Sequence, residues 1–179
     1  MKFALSLTLS LSMLSINPAF AATTAPAVNS TVRDPAHVKA VQDLLAAMQI
    51  EKVLPGVAAR SRYQSAAQRE AVYAKLDKVP PAEIYQRMAP VLAHVISTDT
   101  AIEMARFYAT PYGKKVVYKR YNSGAQIMMP GMKMAVPAEE KEARKRPAFV
   151  VASKELENAE PAIEHEAFNL LQSINKEKR

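Results

Sequence analysis

Apolar residues along this chain recur at helical spacing, not at the alternation of a strand. Val38, Val41, Leu45 and Met48 stand at i, i+3, i+7 and i+10, behind Asp34 and Pro35. Asp34 suits a helix cap, and the missing N–H of Pro35 costs nothing in a first turn. A helix is predicted from there to about Val53, closed by Leu54-Pro55-Gly56. Residues 57–78 carry a weaker stripe among many charged and small residues, and predict a second helix that ends at Pro80-Pro81. Ile84, Met88, Val91 and Val95 fall within a narrow arc and predict a third over 81–96. Pro90 lies inside it and cannot donate to the carbonyl of Gln86, so a kink is expected.

Ser97-Thr98-Asp99-Thr100 is a helix start, with Ser97 or Thr100 as cap and Asp99 at the positive end of the dipole. The helix that follows, to Thr110, is apolar almost all round, which predicts a central and buried position. Only Asp99, Glu103 and Arg106 share a polar side, and Glu103 with Arg106 reads as an exposed pair. Thr110-Pro111 repeats the cap-plus-proline start. In the next helix Gly113, Val117, Tyr121, Gly124 and Met128 form the inward stripe, and its two glycines would admit a close neighbour. Beyond Pro130-Gly131 the pattern loosens. A charged segment opens at Pro137 and is interrupted by Pro147, and two more helical pieces are predicted, the last from about Pro161 with Ile163, Leu170, Leu171 and Ile174 as its stripe. The fold class is all-α: a single bundle of about six to eight helices.

The first residues change the picture of where the chain works. Lys2, the apolar run from Phe3 to Ile16, the break at Asn17-Pro18 and the small residues of Ala19-Phe20-Ala21 read as a cleavable export signal, residues 1–21, cut after Ala21. The run is shorter than the about 20 residues of a spanning helix, and no later segment is apolar enough, so the remainder is not expected to be integral to the membrane. Residues 22–33 read as a flexible leader, 34–135 as the helical domain and 136–179 as a charged helical extension, free to dock on the bundle or to pair with another copy. There is no cysteine, which excludes a lipid-bearing Cys, disulfides and thiol catalysis. Only 4 glycines argue against Gly-rich phosphate loops. The formal net charge of +7 draws anionic surfaces.

One stretch carries more than periodicity. Ile84-Tyr85-Gln86-Arg87-Met88-Ala89-Pro90-Val91, the helix start at Ser97 to Thr100, and Phe107-Tyr108-Ala109-Thr110-Pro111-Tyr112-Gly113-Lys114 resemble the DUF2059 family of exported bacterial proteins. The resemblance implies an all-helical domain in the periplasm and implies no activity. Thr98-Asp99-Thr100 departs from the acidic start usual there. Phe107, Tyr108, Thr110, Pro111 and Gly113 read as structural, fixing a tight corner between two helices.

Candidate chemistry is sparse. His37, His94 and His165 are far apart and match no metal spacing. Glu160, Glu164 and His165 could share a face, but a solvated helix accounts for them. Met128, Met129, Met132 and Met134 are soft ligands suited to Cu(I), or else packing residues. Lys114, Lys115, Lys119 and Arg120 form a candidate anionic-ligand surface, with no acidic residue between Tyr112 and Ala135. Export makes nucleic acid an unsuitable partner. No serine sits in a nucleophile motif and no carboxylate pair stands out. The expectation is a non-enzymatic periplasmic protein without a cofactor, acting on an envelope protein or an anionic lipid surface. Its rival is a small-ligand or soft-metal carrier with a cavity between helices.

Overall fold

The computed structural model describes residues 34–123 and 136–178. The segments read as an export signal and a leader, Gly124 and the four clustered methionines lie outside the described residues. Among the described residues eight α-helices are formed: α1 (Pro35–Ala47), α2 (Val53–Arg60), α3 (Ala66–Leu76), α4 (Pro81–Leu92), α5 (Thr98–Ala109), α6 (Pro111–Asn122), α7 (Ala138–Arg144) and α8 (Pro147–Lys176). A single 3-10 turn, Ile50–Lys52, joins α1 to α2. No strand occurs among the described residues, so the fold is all-α. No helix among them is long and apolar enough to cross a membrane.

The starts follow the capping chemistry. Asp34 accepts from the amide of Ala36 at 3.0 Å, Ser97 Oγ from that of Thr100 at 3.3 Å, and Thr110 Oγ1 from that of Gly113 at 2.9 Å. Several ends differ from expectation. The first helix stops at Ala47 because Gln49 takes a left-handed conformation, φ 51 and ψ 49, which no continuing helix admits. Leu54-Pro55-Gly56 does not close a helix but sits in the first turns of α2, where Pro55 removes no helical bond. The stretch 57–78 is two pieces, since Ser61 is extended (φ −76, ψ 150) and Ser65 caps α3 afresh.

In α4 the inward face is Ile84, Met88, Ala89 and Leu92, whereas Val91 and Val95 are 47% and 46% exposed. Val91 lies within α4 but at the edge of the face that Ile84, Met88, Ala89 and Leu92 bury, and Val95 leaves the stripe because the helix ends at Leu92 and the following turn carries it outward. Glu103 also differs: it is 8% exposed, not a surface residue. Arg106 Nη1 lies 3.5 Å from its Oε2, and Arg146 Nη1, from the start of α8, lies 2.7 Å from its Oε1 in an ion pair.

Pro161 begins no helix. α8 runs unbroken for 30 residues through it, and buries Phe149, Ala152, Leu156, Ala159, Ile163 and on to Ile174. Burial of that stripe outweighs the bond that Pro161 deletes. The C-terminal segment docks on the bundle, since α8 packs against α2, α3, α4, α5 and α7. Side chains tie it along its length. Glu155 accepts from Ser97 N at 2.6 Å, Ser97 Oγ at 3.1 Å and Thr100 Oγ1 at 2.9 Å, capping α5 from outside. Lys75 donates to the carbonyls of Asn175 at 2.5 Å and Glu177 at 2.8 Å, where a cation meets the negative end of the α8 dipole. The central α5 packs against α1, α6 and α8, as its wide apolar face predicts.

Candidate functional site

The corner between α5 and α6 is built by the residues the motif singled out. Thr110 is at once the last cap of α5 and the first of α6; its Oγ1 also donates to Phe107 O at 2.7 Å. Phe107 is buried among rings, with centroids 5.3 Å from Tyr108, 6.0 Å from Tyr112 and 4.8 Å from Phe149. A Cβ on Gly113 would lie 2.1 Å from Phe107 O and 2.6 Å from Tyr108 Cα. Glycine there lets the first turn of α6 rest on the last turn of α5. These five residues hold a backbone junction, and the chemistry lies on either side of it.

On one side an open groove of about 610 Å3 runs between the end of α1 and the outer face of α6. Its floor is Ala46, Ala47, Tyr108 and Ala109, and its rim carries Lys52, Lys114, Lys115 and Tyr118. No carboxylate lines it. Lys114 and Lys115 make no ion pair among the described residues, and Tyr118 is 65% exposed. Lys52 reaches Gln49 Oε1 at 2.5 Å and stands 5.8 Å from the centre of the Tyr121 ring. Tyr121 donates to Met48 O at 3.0 Å and so pins α6 beside the left-handed turn. Burial pushes its phenol up to about 12, with Arg120 opposing and Glu51 adding to the shift. Across the turn Tyr85 donates to Glu51 Oε2 at 2.5 Å, so Glu51 is engaged away from the lysines.

The four-residue basic patch read from the sequence is divided by the helix. Arg120 lies about 240° round α6 from Lys114, at 100° per residue. It therefore faces α8, where it pairs with Glu160. Lys119 is exposed on the same side as Lys115 but beyond the groove. Lys52 is absent from the sequence reading, and Tyr118, which interleaves with the basic residues along the chain, is not counted there as part of the surface. Nothing local signals Lys52, which arrives from another element; Tyr118 shares the Lys114 face at i+4, and its exposure was the available sign.

The other candidates are placed as follows. His37 Nε2 donates to Ile96 O at 2.8 Å and ties the start of α1 to the turn after α4. His94 and His165 are exposed. Glu160 and Glu164 do not act together, since Glu160 faces Arg120 and Glu164 lies 3.9 Å from Arg60. No group of three or more metal-ligating His, Asp or Glu occurs among the described residues.

A helical bundle keyed by one tight corner, with a lysine-rimmed groove beside it, is the class that fold and site define. The family model for an uncharacterised protein conserved in bacteria, DUF2059, matches residues 82–140, and the resemblance drawn from the Phe107 to Lys114 motif holds over that segment. The match runs from α4 into α7 and contains the corner. Searches of curated proteins and of solved structures gave no match.

Proposed function

We propose that this is a non-enzymatic protein of the bacterial cell envelope, exported to the periplasm, that binds an anionic lipid surface through the groove between α1 and α6. The carrying observation is the rim: three lysines and an exposed tyrosine around a floor of alanines, with no carboxylate. Lysine stems lie along apolar surface while their ammonium groups stay in water, and a tyrosine with one apolar and one wet end suits the level of lipid headgroups. Export follows from the signal-like residues 1–21, and the overall positive charge adds long-range attraction.

Flotation with vesicles of phosphatidylglycerol and phosphatidylcholine tests the reading. Each lysine near an anionic surface contributes about 1 kcal/mol, so Lys114→Gln with Lys115→Gln should weaken partitioning about thirtyfold. Binding should fall as salt rises. Equal binding to purely zwitterionic vesicles, or no loss in the double variant, would refute it. Fractionation with N-terminal sequencing of the periplasmic protein should find Ala22 first; an intact Met1 in the cytoplasm would sink the compartment.

A further inference from the structure

The opposite side of α6 holds a second site, which shares only Tyr108 with the groove. A cavity of about 240 Å3 lies between α5, α6 and α8. Its inner wall is apolar and aromatic, formed by Met48, Met104, Phe107, Phe149, Leu156 and Ile163. A dry cavity of about 150 Å3 takes up benzene, so this one admits a ring with a short arm. Its mouth is polar and one-sided in charge: Glu140, Glu157 and Glu160 face a single cation, Arg120.

Two of those carboxylates are already answered. Glu160 is paired with Arg120, and Glu140 with Arg144 at 2.7 Å and with the Tyr112 hydroxyl at 3.0 Å. Glu157 is exposed and has no partner among the described residues, so the mouth carries one uncompensated negative charge. Tyr108 adds a convergent polar group. Its ring lines the cavity, and its hydroxyl makes no hydrogen bond among the described residues. It is close enough to Arg120 and Glu160 for both to act on its ionisation, although burial is what chiefly raises its pKa. An apolar chamber with a few converging polar groups is the usual build of a small-ligand site.

We infer that this cavity binds a small protonated amine carried on a compact apolar group, the apolar part among Phe107, Phe149 and Met104 and the ammonium at Glu157 and the Tyr108 hydroxyl. The rings also present negative faces to a cation that enters over them. Arg120 sets the boundary of the class. A free carboxylate alone meets Glu157 and Glu140 at the mouth and is repelled, while a zwitterion places its carboxylate on Arg120 and its ammonium on Glu157.

Calorimetric titration of the purified protein with phenethylamine, phenylalanine and hydrocinnamate separates these cases. One saturable site for phenethylamine, weakened about fivefold by Glu157→Gln, is the expected result. Phenylalanine binding as well as phenethylamine would assign the amine to a zwitterionic source, and much weaker binding would assign it to a simple amine; either supports the inference. Ser153→Phe, a substitution at a half-buried residue on the cavity wall, should abolish uptake and leave the helical circular dichroism unchanged. Hydrocinnamate binding as tightly as phenethylamine, no saturable amine binding, or full binding in both variants would overturn it.

Discussion

Gly113 and Gly56 offer opposite answers to one substitution. In Gly113→Ala the new Cβ would stand 2.1 Å from Phe107 O, 2.6 Å from Tyr108 Cα and 2.8 Å from Phe107 C, and all three are backbone atoms. No side chain can swing away, so α6 must lift off the end of α5 and strain the Thr110 cap. Overpacking of this kind costs about 3 kcal/mol, and the intrinsic preference of a helix for alanine returns about 1 kcal/mol. The net loss is about 2 kcal/mol. For a chain of this length that lowers Tm by about 4–8 °C. Gly56 has nothing within 4 Å of the corresponding position and lies inside α2. Gly56→Ala should therefore gain about 0.5–1 kcal/mol. Urea unfolding followed by circular dichroism measures both. If Gly113→Ala matched or exceeded the wild type while Gly56→Ala gained as expected, the close corner would be wrong and the motif would need another explanation.

Three further outcomes follow from the ties around the bundle. Burial acts to raise the Glu155 pKa, but its bonds from Ser97 N, Ser97 Oγ and Thr100 Oγ1 outweigh this and hold the carboxyl below 4.5. Its contribution is thus present above pH 4.5 and lost as pH falls through the lower folded value; Glu155→Gln should cost about 1–2 kcal/mol at pH 7 and almost nothing at acid pH, by urea midpoints. With Tyr121 raised from 10.0 to about 12, its share of stability is whole below pH 10 and disappears as pH approaches 12. Ultraviolet absorbance should show a late-ionising tyrosine that returns to the ordinary range in urea, and uniform titration near 10 in the folded protein would contradict the buried phenol. Lys75→Met should release the end of α8 at a cost of about 1 kcal/mol, seen as faster amide exchange over Ile174 to Lys176 with little change at Leu156.

What could be read from the residues was local chemistry. Asp34, Ser97 and Thr110 announce their helices because a cap and a following proline or acidic turn act within one turn of chain. The inward stripes of α1 and α8 are similarly legible, as Val41, Leu45, Ile163 and Leu171 repeat at the period of the helix itself. The misread boundaries depend on distant partners. Gln49 turns left-handed without glycine, against a turn held by Tyr121 from another helix. Pro161 reads as a start, yet the buried stripe on both sides carries the helix across it. Glu103 looks exposed until Arg146 is brought over it from α8. The groove was half legible for the same reason: Lys114 and Lys115 are neighbours in sequence, while Lys52 joins them only in the folded bundle.

Because α8 is the last helix described and meets five others, the order of synthesis acquires a meaning. Until residue 147 onward has emerged, α4 and α5 can pack on α1, but the faces of α2, α4 and α5 that α8 covers stay open, and α5 lacks the Glu155 carboxylate that supports its cap. Contacts that span most of the chain form late and slowly. A nascent chain with this wiring keeps those faces uncovered until its last described helix is made. An uncovered face is a liability for a protein that folds where it is made; for the exported protein proposed above, which would thread a narrow translocation channel, the same delay would postpone collapse, and its source is the position of a single helix.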